Sequence, residues 1–253
     1  MIDSRPRGIE VGVKAKEQHM NALRLSLSLL SVSVVSMGCF GAVGSGKEVT
    51  QVREVGAFKR LQVQGGIQAT VTQGARAVSI TTDDNLVGLI ETRVEGDVLI
   101  IRTKEGTSIT TSTGLRAAIT NDVLEGVQAG GGSSVRGPAT AASAWKAEAT
   151  GGSTVTLTGL SSTTATLVAS GGSTLTIAGS VTDLTVTAAG GSTGNLTDLS
   201  ATRVTLDVGG GSTVKLGSAE SVTGSASGGS TVTIKSARNV TVDSTGGSSV
   251  TSN

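Results

Sequence analysis

From about residue 60 the chain alternates apolar and polar side chains in short runs. The segments 60–64 (RLQVQ), 67–73 (IQATVTQ), 77–82 (AVSITT) and 97–103 (DVLIIRT) carry, at least in part, the two-residue period of a half-buried strand. Gly65-Gly66, Gly74 and Glu95-Gly96 stand between them as turns. Residues 85–92 (NLVGLIET) fit a short helical turn or a further strand.

From about Gly130 a longer order is laid over this alternation. Gly-Gly-Ser recurs with its serine at 133, 153, 173, 192, 212, 230 and 248, at intervals of 18 to 20 residues. Val155 and Leu157, Leu175 and Ile177, Val214 and Leu216, and Val232 and Ile234 follow the triplet at one shared parity. Leu184, Val186 and Ala188, or Val204, Leu206 and Val208, precede it at that same parity. Successive residues of a strand face opposite ways, so these side chains point together, and the opposite parity is rich in threonine. Helices need a 3.6-residue period and disfavour this much Thr and Gly.

This pattern predicts two short strands per repeat, bent at Gly-Gly, with a second corner near Gly159, Gly179 and Gly217. One such rung cannot bury its apolar face alone, and stacking supplies the core. The fold expected is all-β: a parallel β-helix, or β-solenoid, of ~20-residue Gly-Gly-Ser rungs over 129–253, preceded by a strand-rich N-terminal portion of the same domain over 50–128. The triplet serines have core parity and are expected to form an inward, hydrogen-bonded ladder. Trp145 also has core parity and is expected to plug one end of the coil.

Ahead of this body, residues 25–37 (LSLSLLSVSVVSM) are uncharged and too short to span a bilayer, which takes ~20 residues. Arg24 precedes them and Gly38-Cys39 follows, the order of a secretory signal. Residues 1–38 therefore read as a leader, with 1–19 upstream of the true start at Met20 and 20–38 as signal peptide. Cys39 falls where a bacterial lipoprotein is cut and acylated, although Ser36 replaces the usual leucine of such a site. Cys39 is the expected lipidation residue, with 39–49 as a tether. The expected location is the outer membrane, periplasm or cell surface, with membrane contact only through that anchor.

Composition narrows the chemistry. The 20 Lys and Arg nearly balance 19 Asp and Glu, and only three aromatic residues occur, which argues against a nucleic-acid partner. One Cys and one His argue against a disulfide framework and multi-His metal sites. No catalytic residue, metal or cofactor is expected. Asp207 and Asp243 share one outward position in rungs separated by one other, which would set them ~10 Å apart, near an inverting carboxylate pair. No aromatic sugar platform accompanies them. Asp83-Asp84-Asn85 could offer oxygens to Ca²⁺ but reads better as a turn. Outward Thr-x-Thr pairs resemble an ice-binding β-helix, yet Asn195, Lys215 and Arg136 interrupt the array.

The stretch REVGAFKRLQVQGGIQATVTQG (53–74), followed by AVSITTDDNLVGLIETRVEGDVLIIRT (77–103) and LEGVQAGGGSSVRG (124–137), resembles the putative auto-transporter adhesin, head GIN domain family. Phe58, Leu61, Val63, Gln73-Gly74, Asn85-Leu86 and Gly96 through Ile101 carry the likeness, which extends over about 50–253. The resemblance implies an exported β-helix-like domain of the cell envelope, with an adhesive role and no catalytic residues. The expected function is thus a non-enzymatic interaction module for an unknown glycan or protein ligand. The alternatives are a β-helix polysaccharide-active enzyme and an ice-binding or structural envelope spacer. The final repeat shows no cap, so end-to-end self-association through 238–252 is also expected.

Overall fold

In the solenoid, each rung is two strands meeting at a glycine corner, and every rung pairs in parallel with the next. The computed structural model describes residues 41–252; the leader and Cys39 lie outside the described residues. The chain is all-β, with about six parallel turns over 126–252. One limb stacks Gly126–Gly130, Ala142–Thr150 and the later part of Thr154–Ser170, and continues to the later part of Thr231–Ser244. The other stacks Ser134–Pro138 and the early part of Thr154–Ser170, and ends at Ser249–Ser252.

The expected core columns are present. Ala147, Leu167, Val186 and Leu206 are successive partners on one limb, and Val155 and Leu175 pair on the other; all six are buried. Trp145 is buried in the same column as Ala165, Leu184 and Val204, and its indole Nε1–H donates to the Thr140 carbonyl at 2.9 Å.

The corners explain the Gly-Gly pair. Both glycines take positive φ, as at Gly210 (+62°) and Gly211 (+72°). A Cβ on Gly210 would lie 3.0 Å from the Gly190 amide nitrogen, whereas one on Gly211 would meet nothing within 4 Å. The following serines, from Ser133 to Ser230, are buried. Their hydroxyls bond largely to backbone rather than to one another. Ser173 Oγ donates to the Ser170 and Ala149 carbonyls at 2.8 and 2.6 Å, and only the contact of Ser230 with Ser248, at 3.3 Å, links two hydroxyls of this column. A hydroxyl facing a corner has bare carbonyls nearer than the next serine.

The strand-rich portion builds two more rungs, out of sequence order. Arg60–Gln64 and Gln68–Thr72 flank another corner, Gly65-Gly66, where Ile67 takes the serine place and its amide donates to Ser133 Oγ at 3.2 Å. On one side this rung pairs with Gly126–Gly130 and Ser134–Arg136. On the other it pairs in parallel with Val98–Ile101, the start of the strand Val98–Thr103, and with Arg116–Thr120.

Two antiparallel strands close that side: Ala77–Asp83 lies against Arg116–Thr120, and Ile90–Glu95 lies against Val98–Thr103. The ambiguous 85–92 stretch divides into a 3₁₀ turn, Val87–Leu89, and the start of the strand Ile90–Glu95. Within the stretch read as a tether, Ala42–Val43 pairs with Ile109–Thr110; at its end, Glu48–Val52 pairs with Ser79–Asp83.

Candidate interaction surfaces

Two sheet faces flank the core, and each displays the outward parity of one limb. On the first, a column passes through Lys146, Thr166, Thr185, Thr205 and Thr223 to Thr241. On the second, a column passes through Arg136, Thr156, Thr176, Asn195, Lys215 and Thr233. Beside that second column runs a hydroxyl row from Ser134 through Thr154, Thr174, Thr193 and Thr213 to Thr231. Threonine suits both faces because a β-branched side chain packs well on a pleated surface.

Charge is divided unequally between the two. On the first face Lys146 and Arg203 each have a neighbouring carboxylate: Lys146 Nζ lies 3.0 Å from Glu148, and Arg203 makes a two-pronged contact with Asp183. That hydrogen bond, with the carboxylate's charge, raises the Arg203 guanidinium above its ordinary value. Asp207 and Asp243 share a column of this face, with Ser225 between them as expected, and both are exposed. Ser225 Oγ lies 3.4 Å from Asp207 Oδ1. The pair stands on an open sheet among threonines.

The Arg136 face carries Arg136, Lys215 and Lys235, all exposed. Among the described residues, its outward strand positions from Ser134 to Thr251 hold no carboxylate, and none of these three cations joins an ion pair. Two depressions border Arg136. One, of about 300 Å³, also touches Gln68, Thr70 and Arg116; the other, of about 240 Å³, touches Thr154 and Thr156. At the second corner runs a larger trough of about 750 Å³, lined by small residues such as Ser161, Ser180, Ser200 and Ala201, and by Glu220.

Asp83-Asp84-Asn85 forms a lock on the preceding segment. Burial pushes the Asp83 carboxyl up, but donors from Thr111 Oγ1 (2.8 Å) and the amides of Gly46 (2.7 Å), Ser112 (3.0 Å) and Thr113 (3.3 Å) outweigh it. The group is held far below the usual carboxylate range. Asp84 accepts from Ser45 Oγ at 2.6 Å, while Asn85 accepts from the Ser45 amide at 3.0 Å and donates to the Val43 carbonyl at 2.8 Å. These oxygens are engaged by protein donors, as a turn requires.

A family model described as putative auto-transporter adhesin, head GIN domain, matches residues 57–237. The chain belongs to this family. Its head GIN fold is shared by solved structures of low sequence identity. A putative adhesin from Bacteroides fragilis is similar at 18% identity and a TM-score of 0.78, over 84% of this chain and 100% of that one. A putative adhesin from Parabacteroides merdae has 15% identity and a TM-score of 0.61, over 84% of this chain and 99% of that one. A putative lipid binding protein from Parabacteroides distasonis has 15% identity and a TM-score of 0.60, over 83% of this chain and 98% of that one. No curated protein matches the chain.

In the sequence of this head GIN domain, Arg136 and Lys215 stand out only as breaks in a threonine array, and Lys235 does not stand out. The missed signal was sign per face. Within the repeats from Ser134 to Thr251, counting acids and bases separately at each outward parity separates one face with carboxylates from one without.

Proposed function

We propose that this head GIN domain is a non-enzymatic, exported interaction module of the cell envelope, with a glycan or protein ligand held on its sheet surface. The observation carrying this reading is the unbroken parallel register from Ser134 to Ser249, which holds solvent-facing hydroxyls and charges in straight rows. A rigid repeating surface of this kind suits binding of an extended partner. The family description and the putative adhesins that share its fold support the same reading. Cys39, following an export signal, would be its acylated first residue, with two or more acyl chains giving stable anchoring. The test is a glycan array and a panel of envelope proteins probed with the purified chain, beside labelled-palmitate incorporation in cells. Retention on a defined ligand and loss of label in Cys39→Ser are expected. Turnover of a polysaccharide that is abolished by Asp207→Asn would replace this reading with an enzymatic one.

A further inference from the structure

The cations of the two faces differ in a way that their number alone does not reveal. On the first face Lys146 and Arg203 are neutralised by neighbours, Glu148 and Asp183. On the second, Arg136, Lys215 and Lys235 have no such neighbour, and Arg136 and Lys215 stand in one column four rungs apart, a span of ~19 Å at strand spacing. Lys235 continues the cationic series one rung beyond Lys215, two residues past its partner Thr233. Between these ends the surface is threonine and asparagine: Thr156, Thr176 and Asn195 in the same column, Thr154, Thr174 and Thr193 beside it. Unpaired cations spaced along an axis, separated by hydroxyls and amides, complement a chain whose negative charges recur along its length and whose remaining groups are hydroxyls.

We propose that the Arg136 face binds a linear acidic polysaccharide, laid along the stack with its carboxylates at Arg136, Lys215 and Lys235. The proposal rests on the interaction-module reading and names the ligand class of that surface. The depressions on either side of Arg136 give a sugar carboxylate room beside the guanidinium, whose planar fork matches that group. An anionic bilayer fits less well. Docking there draws on apolar side chains inserted below the headgroups, and the outward positions of this face from Ser134 to Thr251 offer only Pro138 and Ala178.

The test titrates the whole chain with polygalacturonate, with neutral dextran of matched length, and with phosphatidylglycerol vesicles. Saturable binding to polygalacturonate that weakens as salt rises, without binding to dextran, is expected. Arg136→Gln with Lys215→Gln and Lys235→Gln should weaken it about tenfold, the combined weight of three surface charges. Lys146→Gln with Arg203→Gln, on the opposite face, should leave it unchanged, and melting curves of both variants should match the parent. The proposal is overturned if the triple variant binds as tightly, if the opposite-face variant loses as much, if dextran binds equally, or if only vesicles bind. A chain that ignores polygalacturonate yet keeps some other array ligand would remove this assignment while leaving the module reading in place.

Discussion

At the residue scale, two adjacent glycines with nearly the same torsions do different work. Gly210 packs against the backbone of the corner beneath it, while Gly211 opens outward. Both sit in the left-handed region, which costs an L-residue ~1–2 kcal/mol and asparagine less. Gly211→Asn should therefore cost less than ~1 kcal/mol. Gly210→Ala adds overpacking between rungs and should cost ~2 kcal/mol or more. Denaturant unfolding of the two variants checks this, and equal losses would mean that corner stacking contributes nothing. The doublet was legible in the sequence as a corner. The unequal demand on its members was not, because it arises from a neighbour about 20 residues away.

At the scale of elements, Asp83 ties the segment 44–47 and the loop 111–113 to the strand Ala77–Asp83. Its carboxyl is depressed in the folded protein, so its contribution is complete above the unfolded value of ~3.9 and fades as pH falls toward the folded one. Asp83→Asn should lower the melting temperature at neutral pH, and the gap from the parent should narrow as the pH is taken below ~4. A gap independent of pH would show that the charge of Asp83 contributes nothing. The sequence suggested a turn here. It did not identify what the turn holds, because the donors lie 28 to 37 residues away.

At the scale of the whole molecule, each rung in the repeat array is buried chiefly by the rungs above and below it. Leu206 is 1% exposed within a column, whereas Thr205 faces solvent. Leu206→Asp places an unpaired charge in that column, and the damage should spread through adjacent rungs more than across the entire stack. Hydrogen exchange should show lost protection across 174–252, with 60–72 retained, while Thr205→Asp exchanges like the parent. Uniform loss over all rungs would indicate a single cooperative unit in place of a stack.

The sequence by itself determined the all-β class, the rung length, the corner glycines and the side of each strand that faces inward. These are local matters: alternation sets the face, and a recurring glycine pair sets the bend. Tertiary structure alone decided that Gly65-Gly66-Ile67 is a corner of the same stack, that the rung around it lies between two later ones, and that antiparallel strands close one side. It also decided which cations meet a carboxylate. Arg203 reaches Asp183 and Lys215 reaches no acid because side-chain reach depends on the residue-by-residue register of adjacent rungs, which the spacing of the repeats sets only to within a residue or two.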